Sequence, residues 1–255
     1  MANIRVAVAA HKPYWMPADP LYLPLQVGAA GKPSLGYRRD DEGDQISGKN
    51  ASFCELTGHY WLWKNVAADA YGLCHYRRYF AAGLPWQPKK ARILTQRRAE
   101  CLLRKADVIL PKKRHYWIET NASQYAHAHH ARDLDATRAV LAQAGDDRYV
   151  QAWDLAMARR SGHRFNMFLM KRDCFERYSA WLFATLFALE ARLDTSGYSA
   201  YDQRVFGFIG ERLMDVWMAV NRPSMLECRV VNLENQHWIK KIVHFLRRKL
   251  RGKAD

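Results

Sequence analysis

His75, Tyr76, Arg77 and Arg78 follow directly on the apolar run Ala70-Tyr-Gly-Leu-Cys. A buried strand that stops at charged residues is how an open α/β sheet presents chemistry, at the carboxyl ends of its strands. The two adjacent guanidiniums offer fixed positive charge in a fork geometry suited to phosphate. Two other runs have the same form: Ile4 to Ala10 ends at His11-Lys12, and Asp107-Val-Ile-Leu-Pro ends at Lys112, Lys113, Arg114 and His115. Lys49, Asn50 and Glu55 cluster at the start of an expected helix, where backbone amides favour an anion. Glu211 and Asp215 stand four apart and share one side of another helix. Such a pair is either a solvated face beside Arg212 or a carboxylate reaching into a cleft as general base.

The segment Tyr125-Ala-His-Ala-His-His, followed by Asp133 and Asp135, carries residue types that bind zinc or iron. It lacks a familiar ligand spacing, so hydrogen-bonded structural groups are expected there and no metal site.

The elements that must position these residues read as a mixed α/β chain. The 255 residues are 49% hydrophobic, enough for a sizeable core. The net charge of +15 implies a polyanionic partner: nucleic acid, an acidic membrane surface or a phosphorylated substrate. Five widely spaced cysteines without a Cys-x-x-Cys pair read as reduced core thiols of a cytosolic protein. The first apolar run is too short for a signal peptide, and no run reaches the roughly 18 apolar residues of a membrane span.

Pro13, Pro17, Pro20 and Pro24 forbid a regular helix after the first strand, so a loop carrying Tyr14, Trp15 and Tyr22 is expected over the strand end. Ser52 and Glu55 have capping-box spacing before a stripe of Phe53, Leu56, Tyr60 and Trp63. Phe165 to Met170 reads as an interior strand. Asp173 and Glu176 then open a helix that buries Phe175, Tyr178, Leu182, Leu186, Leu189 and Leu193. A further helix spans about Asp202 to Val220, and a last strand Met225 to Leu233. From Trp238 onward the chain reads as a basic amphipathic helix suited to an anionic membrane interface.

Several phrases together resemble a bacterial family from capsule and lipopolysaccharide gene clusters, long a domain of unknown function and associated with glycosyl transfer, including galactofuranosyl transfer. They are Val6-Ala-Val-Ala-Ala-His-Lys, Pro24-Leu-Gln-Val-Gly, Gly43-Asp-Gln-Ile-Ser-Gly-Lys-Asn, Cys54-Glu-Leu-Thr-Gly-His-Tyr-Trp-Leu-Trp-Lys-Asn and Gly72-Leu-Cys-His-Tyr-Arg-Arg-Tyr-Phe. Asp107-Val-Ile-Leu-Pro, Phe165-Asn-Met-Phe and Arg204-Val-Phe-Gly-Phe-Ile-Gly-Glu-Arg-Leu follow. Gln45 stands where the family pattern carries Asn. The resemblance implies a GT-A-like, Rossmann-type mixed sheet flanked by helices over residues 1–236, with the basic tail in 237–255.

It also implies roles. His11, Lys12, Asp44, Lys49, Asn50 and Tyr76 would bind a nucleotide-sugar donor, UDP-linked in the simplest case. Asn166 and Arg212 would meet a lipid-linked or oligosaccharide acceptor. Ordinary GT-A enzymes hold a divalent metal with Asp-x-Asp, where this chain has His75-Tyr76-Arg77. The expected catalyst is therefore metal-independent and without cofactor, with Arg77, Arg78 and His75 at the leaving diphosphate and Glu211 as base, Asp44 being the runner-up. Such an enzyme would work at the inner face of the cytoplasmic membrane. The competing expectations are a basic nucleic-acid-binding protein, disfavoured because no nucleic-acid motif is present, and an inactive scaffold on the same fold.

Overall fold

A computed structural model describes residues 2–234, and the expected amphipathic tail lies outside the described residues. Strand β1 (Ile4–Ala10) is the first interior strand, paired in parallel with β2 (Tyr22–Gln26) on one side. β3 (Arg38–Arg39) adds a short parallel edge to β2. The chain then makes a 3₁₀ turn at Ser47–Lys49, a one-turn helix α1 (Asn50–Phe53) and helix α2 (Leu56–Asn65). β4 (Ala70–His75) returns to pair in parallel with the other side of β1, from Ile4 opposite Ala70 to Ala9 opposite His75. Lying between two neighbours, β1 is apolar on both faces, as buried parallel strands must be. Gly72 of β4 is squeezed between Val6 and the Phe168 carbonyl, where a Cβ would have no room.

The second half adds strands and most of the helices. β5 (Arg78–Ala81) turns back from β4, α3 (Gln96–Leu103) follows a 3₁₀ turn at Lys89–Arg92, and β6 (Val108–Pro111) re-enters the sheet. β7 (Arg114–His115), α4 (Asn121–Ala128), α5 (Arg132–Gln143), α6 (Asp147–Ala158) and β8 (Ser161–Gly162) form an excursion in which β7 pairs with β8. β9 (Phe168–Lys171), α7 (Arg172–Glu190), α8 (Val205–Asn221) and β10 (Met225–Asn232) complete the fold. β9 runs antiparallel between β4 and β6, and β10 pairs with β6 and β5. Because His75 also pairs with Arg78, the ladders β4–β5–β10–β6–β9 close on themselves. This ring places the β4–β5 turn beside the entry to β9.

The mixed α/β sheet and flanking helices match the class expected from the pattern. One face, with Ala7, Ala9, Tyr71, Leu73, Val108 and Phe168, is covered by the large helical layer. The other, with Val6, Val8, Cys74, Ile109 and Leu169, is covered by α3 and the loops around it. The expected stripe of α7 is buried from Phe175 to Leu189, whereas Leu193 lies beyond the helix end. All five cysteines are free, and Cys74, Cys174 and Cys228 are buried.

Three local expectations fail. Ser52 and Glu55 do not form a capping box: Ser52 lies inside α1, and Cys54, at φ 53°, breaks the chain before α2. The strand expected from Phe165 begins only at Phe168, since Phe165 and Asn166 have φ of 82° and 50°. The helix expected from Asp202 opens with a 3₁₀ turn and becomes α-helical at Val205.

His59 lies fully buried on α2, ringed by Phe168, Phe175, Tyr178 and Phe183, with Nε2 2.8 Å from the Ser179 hydroxyl. Burial lowers its pKa from 6.5 to about 3. The unfolded chain therefore takes up the proton first, so stability present above pH 6.5 is lost as the pH falls toward 3. Denaturant unfolding should show about 2 kcal/mol lost from this group between pH 7 and pH 5, absent in His59→Phe.

Candidate functional site

The carboxyl ends of β1 and β4 meet at Tyr76, whose ring is buried. His11 packs edge-on against it with ring centroids 5.3 Å apart, and Tyr14 does the same at 4.9 Å. The Lys12 ammonium lies 5.4 Å and the Arg77 guanidinium 5.7 Å from the Tyr76 centroid. His11 has its pKa lowered by burial and then by Lys12, Arg77, Lys32 and Arg204. Lys12 and Arg77, both beside the Tyr76 ring that His11 packs on, set up a positive potential there that attracts an anion such as a diphosphate.

Next to this cationic group stands a strained turn. Phe165 and Asn166 are both left-handed without being glycine, a conformation that costs of order 1–3 kcal/mol per residue and persists only where the surroundings fix it. The Phe165 N–H donates to Glu211 Oε1 at 2.9 Å, and His75 Nε2 donates to the Phe165 carbonyl at 2.7 Å. The Asn166 amide donates to Glu55 Oε1 at 2.7 Å and to the Gly207 carbonyl at 3.0 Å. Glu55 Oε1 lies 3.9 Å from His75 Nε2. On the adjoining side, Asp215 accepts from the His163 N–H at 3.1 Å and sits 2.6 Å from its Nδ1. His163 and Asp215 also wall a cavity of about 720 Å³ between α6 and the end of α8.

Arg78 lies 4.6 Å over the Phe165 ring, and its Nε is buried without a hydrogen-bond partner among the described residues. Burial lowers its pKa, as does Arg77, while Glu211, Glu55 and Glu234 act in the opposite sense. Arg77 is more open and approaches Glu234 at 3.4 Å. The arrangement combines guanidinium groups, able to receive negative charge, with two carboxylates held beside them, able to receive a proton.

The family described as a domain of unknown function, DUF4422, matches residues 5–222. The chain belongs to this family. Among solved structures it is similar to one described as a WbbM bifunctional glycosyltransferase in its apo form. The TM-score is 0.84 at 30% identity, covering 91% of this chain and 46% of that one. The chain thus spans less than half the length of that bifunctional protein. No curated protein matches.

Within this member of the family, the structure brings together His11, Lys12, His75, Tyr76, Arg77, Arg78, Asn166 and Glu211. His75 and Asn166 are occupied in fixing the turn, and Tyr76 is the platform on which its neighbours pack. The other expected site residues are engaged in contacts of their own. Lys49 pairs with Glu190 at 2.6 Å. Asn50 spends its amide on the Cys54 carbonyl and Thr57 hydroxyl. Arg212 is buried within the helical layer, donating to the Phe208 carbonyl and Gln124. Asp44 accepts from the Tyr60 hydroxyl at 3.0 Å near the end of α2.

Among the described residues no three His, Cys, Asp or Glu side chains form a metal-binding group. His127 faces Glu119, His129 faces Asp202, and Asp133 accepts from Tyr125.

Two carboxylates carry weight that their spacing did not reveal. Asp40 is fully buried and accepts from the Gly28 and Ala29 N–H groups and the Thr57 hydroxyl, tying the loop after β2 to α2. Gly28 has φ 60°, and a Cβ there would collide with Asn50. Glu55 read as a capping residue; the left-handed break at Cys54 frees it to meet Asn166. Its signals in the sequence, the spacing from Ser52 and the cluster with Lys49 and Asn50, pointed to a helix start and not to Asn166.

If the cations around His11 form an anion site, the protein binds inorganic pyrophosphate. Lys12→Ala and Arg77→Ala should each weaken that binding roughly tenfold or more in calorimetry, given about 1.5–3 kcal/mol for a hydrogen bond to a charged group.

Proposed function

We propose that the protein is a glycosyltransferase that moves a sugar from a nucleotide-sugar donor to a cell-surface glycan acceptor, on a GT-A-like sheet. The observation that carries this reading is the gathering of His11, Lys12 and Arg77 around the Tyr76 ring, at strand ends whose neighbouring turn holds Glu211 and Glu55. The likeness to a bifunctional glycosyltransferase supports it. The pathway would be capsule, exopolysaccharide or lipopolysaccharide assembly, with galactofuranose among the candidate sugars.

In the proposed reaction an acceptor hydroxyl oxygen attacks the anomeric carbon of the donor. The bond from that carbon to the diphosphate oxygen breaks, and the leaving group takes the electron pair. Lys12, Arg77 and Arg78 stabilise the charge that develops there, while Glu211 takes the hydroxyl proton. The backbone N–H of Phe165 holds one Glu211 oxygen, which fixes the carboxylate's orientation. Glu55, across the turn, is the second candidate base.

The diphosphate charge is met by side-chain cations where an acidic pair would need a bridging metal, so the proposed transfer uses no metal. The acceptor would be lipid-linked, with the basic residues of 238–255, which lie outside the described residues, drawn to the anionic inner leaflet. Among the described residues no helix is long and apolar enough to cross a membrane.

Two measurements test this reading. Glu211→Gln should lower transfer by roughly 10²–10⁴-fold while leaving donor affinity unchanged, since the swap keeps shape and removes proton acceptance. Transfer unaffected by that change would move the base to Glu55, and no turnover with any nucleotide sugar would mark an inactive scaffold. Donor binding and transfer should also survive chelation by EDTA. Loss of activity that manganese or magnesium restores would overturn the metal-free assignment.

A further inference from the structure

Three of the exposed large apolar side chains, Trp15, Leu84 and Trp86, lie in two loops joined by a cation–π contact. Trp86 is 77% exposed and Leu84 51%. Leu84 and Gln87 close a tight turn, with the Leu84 N–H donating to Gln87 Oε1 at 2.8 Å. Arg92 braces it by donating to the Pro85 carbonyl at 3.2 Å. Lys90 places its ammonium 4.2 Å from the Trp15 ring centroid. This turn therefore holds Leu84 and Trp86 in water on a hydrogen-bonded frame, with the partly exposed Trp15 beside it on Lys90.

The charge along the Gly83 segment has one sign. From Gly83 to Arg98 there are five basic residues (Lys89, Lys90, Arg92, Arg97 and Arg98) and no acidic one. Tryptophan prefers the interface between hydrocarbon and water, and a patch of indoles with lysine and arginine complements an anionic leaflet. The direction of the chain agrees: Lys89 Nζ is 3.2 Å from the Leu233 carbonyl and 3.4 Å from that of Glu234. The chain thus passes this loop as it enters residues 235–255, which carry Trp238, seven basic residues and one acidic residue.

We propose that Trp15, Leu84 and Trp86, with Lys90 and Arg92, form a preformed docking surface for an anionic lipid leaflet. This rests on the proposed lipid-linked acceptor and places the membrane contact on the folded domain, beside the strand ends where Arg77 lies. The two indoles enter the headgroup region while the cations stay with lipid phosphates.

The test is sedimentation of the full-length protein with phosphatidylglycerol–phosphatidylcholine vesicles. Leu84→Glu/Trp86→Glu should weaken binding roughly tenfold or more. Lys90→Gln should weaken it roughly fivefold, as expected for one basic residue at an anionic surface. Because these side chains are exposed, melting temperature and pyrophosphate binding should stay at wild-type values. Wild-type binding by the double variant would overturn the proposal. So would no vesicle binding by the unaltered protein, equal binding to pure phosphatidylcholine, or a loss produced by Trp117→Glu instead. Sugar transfer to a short water-soluble acceptor is measured separately. Its failure with patch-dependent vesicle binding intact would remove the proposed activity and leave the docking surface.

Discussion

Phe165 and Asn166 are held at positive φ by side chains from three other parts of the chain, and the edge of the sheet where chemistry is proposed depends on that restraint. Glu211 accepts from the Phe165 N–H, His75 donates to its carbonyl, and Glu55 accepts from the Asn166 amide. Each of these bonds offsets part of the cost of a left-handed residue, and each also fixes a polar group beside Arg78. Strain and positioning are therefore one device: the turn stays unfavourable locally and is stabilised by groups that it orients in return.

Arg78 shows the electrostatic side of the same arrangement. Burial disfavours its charge, and the neighbouring Arg77 adds to the penalty, while Glu211, Glu55 and Glu234 lessen it. On the other side of Arg77, His11 and Lys12 share the Tyr76 ring with it, and the charge of His11 is disfavoured first by burial and then by the neighbouring cations. Cations fixed by aromatic packing on Tyr76 need little reorganisation when negative charge appears, which is where preorganised sites gain their advantage over water. Part of the basic excess of the chain is thus gathered at two places on the folded domain, the strand ends and the segment from Gly83 to Arg98.

The ring of ladders explains how distant segments reach one place. β9 is inserted antiparallel between β4 and β6, so its entry lies beside the exit of β4. α8 crosses the same edge at its start, bringing Gly207 and Glu211 against Asn166 and Phe165. Gly207 and Gly210 permit this approach, since a Cβ at either would crowd Cys54 or Leu56.

The sequence by itself determined the mixed α/β class, the strands β1, β4 and β6 with the cations that follow them, and the buried stripe of α7, whereas Tyr22, expected in a loop, opens the strand β2. Those features are written in short-range periodicity, apolar runs stopping at charge, which burial enforces directly. Only the tertiary structure decided which polar residues lie together at the strand ends. Lys49, Asn50 and Arg212 have suitable chemistry but spend it on Glu190, Cys54 and the Phe208 carbonyl. Glu55 and Asp40 owe their places to backbone turns at Cys54 and Gly28 and to partners far along the chain. A left-handed residue that is not glycine leaves no mark in periodicity, because it is held by long-range hydrogen bonds and not by its own preference.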